Sequence, residues 1–102
     1  MKLVMVTSLK EYSEQVAVIF KKAGIRIYSA TDTIGFKDDS EHNLMDSWFG
    51  MRETLFDSVF LFSFTEDEQA NISLQLIREY NEENPGDFPI RAFILPVENS
   101  SH

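Results

Sequence analysis

Two segments of the chain share one order of patterns, in which an apolar run precedes an amphipathic helical pattern and another apolar run follows it. In the first segment, residues 2–7 are apolar and rich in β-branched side chains, which predicts a strand, and residues 8–11 match a helix capping box. Gly24 is placed to end the helix in a left-handed conformation. A second strand is predicted from Ile25 to about Thr33. The helix between the first and second strands is indicated by apolar residues at three- and four-residue steps, namely Tyr12, Val16, Ile19, Phe20 and Ala23.

The second segment repeats this plan after a long connection. Residues 58–64 predict a third strand, and residues 65–68 form another capping-box sequence. The sequence Asn-Pro-Gly-Asp at 84–87 ends the helix, residues 88–97 predict a final strand, and the tail at 99–102 is expected to fray. The apolar positions of this second helix are Ile72, Leu76, Ile77 and Tyr80.

The element order βαββαβ predicts an α+β fold, a ferredoxin-like sandwich with a four-stranded antiparallel sheet, formed by one domain over residues 1–98. A doubly wound parallel sheet is the alternative, but two helices are too few to cover both of its faces. The connection at residues 35–56 shows no clear helical or strand period. Structureless loops of this length are usually functional or disordered, so we expect function there.

Both faces of the predicted sheet are apolar. In the first strand Leu3 and Met5 alternate with Val4 and Val6, yet two helices can cover only one face. Leaving the other face in water would lose about 1.5–3 kcal/mol for each large side chain. We therefore expect a homo-oligomer in which the sheets of different copies face one another.

Charge and composition exclude several classes of function. The net charge of −8 and the pI near 4.6 oppose binding to nucleic acid, whose phosphates require clustered cations. The absence of cysteine excludes disulfides, thiolate metal sites and nucleophilic thiols, which suits a reducing compartment. No apolar run approaches the roughly 20 residues of a membrane span. These features predict a soluble cytoplasmic protein with no direct membrane insertion.

Four short stretches in a fixed order carry a resemblance to a known family: residues 1–4, residues 22–25, Gly35 with Phe36, and residues 93–98. With them the chain resembles the nitrogen-regulatory PII-like superfamily, as a divergent, non-classical member. The resemblance implies a homotrimer with inward-facing sheets and a long loop between strands 2 and 3. It also implies a signalling protein that senses a small ligand in clefts between subunits. Such a protein controls a partner, for example a membrane transporter, through its long loop.

In the PII superfamily the clefts between subunits bind adenine nucleotides. The glycine-rich phosphate-binding run and the arginine pair after the last strand are missing here, and Pro89 lacks the N–H that could contact a phosphate. A polyphosphate would meet few cations, so we expect weak or no binding of adenine nucleotides. The ligand contacts that the resemblance implies are Gly35, Phe36, Lys37, Gly86, Asp87 and Arg91.

An acidic group in the long connection offers a second hypothesis. Asp38, Asp39, Glu41 and His42 are close in sequence, and oxygen ligands with one imidazole suit hard or borderline divalent cations. The chain would then be a cation-binding protein similar to the trimeric divalent-cation-tolerance family, which shares the fold. The competing interpretation of these residues is a solvated acidic turn.

Three adjacent apolar residues in the same connection, Trp48, Phe49 and Met51, are candidates for contact with a partner protein. The alternative is a short helix over residues 43–55 that packs these side chains onto the body or onto a neighbouring subunit. His42 and His102 are the only histidines, and no nucleophile–base arrangement or phosphate-loop fingerprint is present. We therefore do not expect an enzyme.

Overall fold

The computed structural model describes residues 1–38 and 53–101, which form a four-stranded sheet with two helices. The strands are β1 (Lys2–Leu9), β2 (Ser29–Asp38), β3 (Glu53–Thr65) and β4 (Arg91–Pro96). The helices are α1 (Ser13–Lys22), which follows a short 3-10 turn at Lys10–Tyr12, and α2 (Asp67–Glu83). The strand order is β2-β3-β1-β4 and every neighbouring pair is antiparallel, which confirms the predicted ferredoxin-like α+β fold.

The core lies between the helices and one face of the sheet. Val4 and Val6 from β1 are fully buried there. The predicted apolar stripe of α1 is confirmed, because Val16, Ile19 and Phe20 are buried in the same core. Tyr12 and Ala23, the other members of the stripe, also pack in this cluster. Burial of these side chains, rather than helix propensity, fixes α1 on the sheet.

Gly24 ends α1 as predicted. Its φ angle is 82°, and its backbone N–H donates to the carbonyl of Lys21, a left-handed ending that glycine adopts without steric cost. The predicted stripe of α2 is wrong at one position, since Ile72 is exposed. The buried positions are Ala70, Ser73 and Ile77, whose spacing of three and four residues defines the face that meets the core.

Neither predicted capping box forms. Ser8 is still part of β1, and its hydroxyl donates to the carbonyl of Leu9 instead of accepting from the helix. α1 begins later because the 3-10 turn intervenes, with Tyr12 at the N-cap position. At α2 the N-cap residue is Glu66, without a side-chain cap. In both places strand pairing extends through the residue expected to cap: Ser8 pairs with Val59, and Thr65 pairs with Lys2.

Two strands begin later than predicted. Residues 25–28 are not strand, because the N–H of Ile25 donates to the carbonyl of Phe20 at the end of α1. In addition, the hydroxyl of Ser63 donates to the carbonyl of Ile27 at 2.6 Å, where a strand would use a backbone partner. β4 begins at Arg91, not at residue 88, since proline cannot donate to a ladder and the N–H of the residue after Pro89 bonds to a side chain.

The connection predicted over residues 35–56 is too long. Residues 35–38 extend β2 and pair with residues 53–56 of β3, from Gly35 opposite Phe56 to Asp38 opposite Glu53. We call these two paired segments the ribbon. The remaining connection, residues 39–52, lies outside the described residues. The extension follows from antiparallel pairing, which continues while both strands can exchange backbone hydrogen bonds.

The sheet face away from the helices is apolar, as predicted. Met5 lies between Phe62 and Phe93 in the register, and Leu3 lies between Phe64 and Leu95. Phe64 and Phe93 are 58% and 55% exposed. We call this surface the open face; it also includes Phe60, whose ring is 5.6 Å from that of Phe62. A single copy of the chain leaves these side chains in water.

Candidate functional site

The structure brings the six residues of the implied ligand site to one end of the sheet. Three of them come from the base of the ribbon, two from the connection between α2 and β4, and one from the first position of β4. They line or adjoin two neighbouring grooves, which share Leu9 and Pro89 as walls. The six are Gly35, Phe36, Lys37, Gly86, Asp87 and Arg91.

The first groove, which we call the sheet-end groove, has a volume of about 270 Å³. Gly35, Phe36 and Arg91 line it, together with Thr7, which pairs directly with Arg91. Phe56 closes the side nearest the ribbon. The groove therefore joins the ribbon to the first residue of β4.

The second groove, the helix-end groove, has a volume of about 360 Å³ and is lined by Gly86 and Asp87. Asn81 of α2 fixes the chain beside it. The Asn81 side chain accepts a hydrogen bond from the N–H of Ile90 at 3.0 Å and donates to the carbonyl of the same residue at 2.8 Å. These two bonds replace the partners that a strand would supply, so the end of the α2–β4 connection has a defined position.

An aromatic pair links the two grooves. The ring of Phe88, in the helix-end groove, lies 4.9 Å from the ring of Phe56, measured between centroids. The amino group of Lys37 lies 5.7 Å from the centroid of Phe88, within the range of a cation–π contact. The α2–β4 connection therefore contacts both strands of the ribbon.

Gly35 is required by this packing. A Cβ atom at position 35 would overlap the ring of Phe56, its partner across the ribbon. Packing an aromatic ring over a cross-strand glycine covers backbone that would otherwise be exposed. The sequence indicated Gly35 through a family resemblance, whereas its structural role is to make room for Phe56.

The charges around the two grooves are nearly balanced. Lys37 and Arg91 are the cations contributed by the implied ligand site, and Asp87 and Glu11 are carboxylates lining the helix-end groove. Because two carboxylates lie beside the two cations, the several negative charges of a polyphosphate would not be compensated. This arrangement favours a ligand of low charge.

The metal and partner-contact hypotheses fall largely outside the described residues. Asp38 is the last residue of β2, and Asp39, Glu41 and His42 lie beyond it. Within residues 1–38 and 53–101, no group of three or more histidine or acidic residues is arranged to hold a metal ion. Trp48, Phe49 and Met51 also lie outside the described part. These hypotheses therefore stay predictions from the sequence.

Sequence reasoning missed several residues of this site. The sequence analysis does not assign Phe56 or Phe88 to a site, and Asn81 lies within a helical pattern. The pairing of Phe56 with a glycine is a signal that could have been used once the register was known. Asn81 gives no comparable signal, because its partner is the backbone of residue 90.

Comparison with known proteins supports the fold. No protein-family profile matches the chain, and no curated protein sequence matches it. A solved structure of a PII-like protein from Thermus thermophilus matches with a TM-score of 0.61 at 19% identity, covering 91% of this chain and 82% of the other. B. subtilis GlnK, solved in complex with ATP, matches with a TM-score of 0.63 at 9% identity, covering 93% and 82%.

These identities are low, so the two likenesses concern the fold. Within the described residues no helix is long and apolar enough to cross a membrane. The four-stranded sheet with two helices is the ferredoxin-like architecture that the sequence resemblance implied, whereas the ribbon lies where a loop was expected. The chain has the fold of the PII-like signalling proteins, which confirms that resemblance.

Proposed function

We propose that this chain is a trimeric, cytoplasmic PII-like regulator that binds a small ligand at the sheet-end and helix-end grooves and controls a partner protein. The long connection that follows the ribbon would contact that partner, for which a membrane transporter is our candidate. The single observation that carries the proposal is the contact of Phe88 with Phe56 and Lys37, which joins the grooves to both strands of the ribbon.

This contact gives a physical route from ligand to partner. A ligand in the helix-end groove would touch Phe88, and any shift of that ring would change its packing on Phe56. Because Phe56 lies against the backbone of Gly35, a shift of its ring toward that strand would alter the pairing of the ribbon. A ligand shifts such an equilibrium only as far as it prefers one arrangement over the other.

The nature of the grooves suggests the ligand class. Aromatic rings and the tyrosine pair Tyr12 and Tyr80, whose centroids are 6.4 Å apart, offer apolar and stacking surface near the helix-end groove. Lys37 and Arg91 provide two positive charges. We propose a ligand with an aromatic or apolar part and no more than two negative charges. GlnK was solved with ATP, but this chain offers less compensation for a triphosphate.

The open face supports the trimer. Phe64 and Phe93 of this face are exposed in one copy, and burying each of them in an interface would contribute about 1.5–3 kcal/mol. In a trimer the grooves would lie near a subunit boundary, where a neighbouring copy could complete the ligand site. The proposed trimer would therefore bury the open face, and a neighbouring copy would supply ligand contacts that the grooves of one copy lack.

Isothermal titration calorimetry with adenosine, AMP and ATP as probes tests the ligand class. We expect ATP to bind most weakly of the three or not at all. Arg91→Gln should weaken binding of AMP, whereas Arg78→Gln, the same charge change at an exposed position on α2, should not. Tightest binding by ATP, or equal effects of the two substitutions, would contradict the proposed ligand class.

The divalent-cation hypothesis is the second candidate, but the solved structures that this chain resembles do not favour it. It is tested separately with the intact protein. If Mg²⁺, Mn²⁺, Ni²⁺, Cu²⁺ and Zn²⁺ at millimolar concentration leave the tryptophan fluorescence and the melting temperature unchanged, the cation hypothesis is excluded. A shift that disappears in His42→Ala would support it.

A further inference from the structure

A positively charged region lies at the opposite end of β2 from the ribbon. Residues 15–31 contain no aspartate or glutamate, although the chain as a whole carries a net charge of −8. Three of the nine basic residues, Lys21, Lys22 and Arg26, lie in this stretch. On the neighbouring helix, the side chain of Gln69 lies beside Gly24, and the acidic residues just before it are Glu68 and Asp67, of which Asp67 is paired with the Met1 amino group.

These cations have no acidic partner in the described part of the chain. The ion pairs found there join the Met1 amino group to Asp67 and Lys10 to Asp32. Lys21 and Lys22 are in the last turn of α1, where positive charge is favourable beside the helix carbonyls. Arg26 lies beyond the helix, is exposed and does not have that role.

A groove of about 660 Å³ runs between the end of α1 and the segment that leads into β2. Lys21 and Arg26 line it, and the aromatic ring of Tyr28 forms part of its wall. Gly24 and Ala17 also line the groove, and because both residues are small they leave space for a ligand. Two cations beside one groove match the charge of a phosphomonoester, and the planar guanidinium of Arg26 can bind phosphate with two hydrogen bonds.

The backbone beside this groove is held from several sides. Ile25 is buried in the core, the hydroxyl of Ser63 donates to the carbonyl of Ile27, and the ring of Tyr28 lies 5.1 Å from that of Phe20. Although its backbone is fixed, the side chain of Ile27 is 86% exposed. Large apolar side chains presented beside cations are common where a protein meets an amphiphilic ligand.

We propose that the groove lined by Lys21, Arg26 and Tyr28 binds a phosphomonoester group, at a site separate from the grooves beside the ribbon. The same chemistry is found in a soluble metabolite and in a lipid headgroup. Arg26 and Lys21 hold the phosphate oxygens, and Tyr28 contacts the part of the ligand nearest the phosphate. Where the phosphate belongs to a lipid, Ile27 enters the acyl region beside it.

Backbone amide NMR of the full chain with glycerol 3-phosphate as the probe tests the site. We expect saturable shifts at residues 21–28. Arg26→Gln and Lys21→Gln should each weaken binding about tenfold, because each removes a charged hydrogen-bond donor. Arg78→Gln, an equal charge change on the exposed side of α2, should leave the affinity unchanged.

Vesicles distinguish the two sources of the phosphate. Sedimentation with phosphatidylcholine vesicles, with and without phosphatidic acid, detects a lipid ligand, and Ile27→Ser should weaken that binding without affecting glycerol 3-phosphate. Binding of glycerol 3-phosphate alone assigns a soluble ligand, and binding of phosphatidic acid vesicles alone assigns a lipid. Absence of binding to both, shifts confined to residues 86–91, or equal loss in Arg78→Gln would overturn the proposal.

Discussion

The ring of Phe56 lies directly against the backbone of Gly35, its partner across the ribbon, so closely that a Cβ at position 35 would overlap it. The same ring also contacts Phe88, in the connection between α2 and β4. One aromatic side chain therefore joins the base of the ribbon to the wall of the helix-end groove. The packing at residue 35 therefore tests the proposed coupling between the helix-end groove and the ribbon.

Gly35→Ala should displace the ring of Phe56 and break its contact with Phe88. We expect the free energy of unfolding to fall by about 1–3 kcal/mol, as for other substitutions that overfill a packed site. Urea denaturation measures this change, and the backbone amide signals of residues 53–56 should shift with it.

Gly86→Ala is the matched control, because nothing lies within 4 Å of a Cβ at that position and its φ angle is not positive. Its stability should be unchanged or higher by up to about 1 kcal/mol, since alanine reduces the entropy of the unfolded chain. If both alanine variants were as stable as the wild type, the close packing at Gly35 would be refuted.

Asn81→Ala should loosen the connection beside the helix-end groove. The change removes both hydrogen bonds to Ile90 and leaves two backbone groups without those partners. We expect a loss of about 1–3 kcal/mol in the free energy of unfolding and faster hydrogen exchange at residues 88–91.

Asn71→Ala, on an exposed part of α2, is the control for this substitution and should change stability by less than about 0.5 kcal/mol. Equal exchange rates at residues 88–91 in the wild type and in Asn81→Ala would show that Asn81 does not fix the connection.

The fold could be predicted from the sequence because its signals are local and repeated. The α1 stripe ending at Gly24 and the alternating strands identify the elements and their order. The register could not be predicted, because pairing of Gly35 with Phe56 depends on residues 21 positions apart in sequence. For that reason the sequence predicts loop where the ribbon forms, and it predicts helix caps at Ser8 and Thr65, which instead pair in the sheet.

The candidate site could also be predicted only in part from the sequence. The resemblance indicated Gly35 and Arg91 by position, and the structure places them in one groove. Asn81 was missed because its function depends on a backbone segment nine residues away. Side chains that act on distant backbone leave no periodic pattern in a sequence.

Phe93→Glu should disrupt the oligomer by placing a charge on the open face. Phe93 pairs with Met5, which pairs on its other side with Phe62, and an unpaired carboxylate buried in this row would be strongly unfavourable. Size-exclusion chromatography with light scattering should show the monomer mass. Ile72→Glu introduces the same charge at an exposed position on α2 and should retain the oligomer; loss of the oligomer in both variants would point to general destabilisation instead.

Sedimentation equilibrium of the wild-type protein at micromolar concentration tests the central claim most directly, because the proposed ligand site and the burial of the open face both depend on the trimer. The account predicts a mass three times that of the 11.8 kDa chain. A stable monomer at that concentration would contradict it.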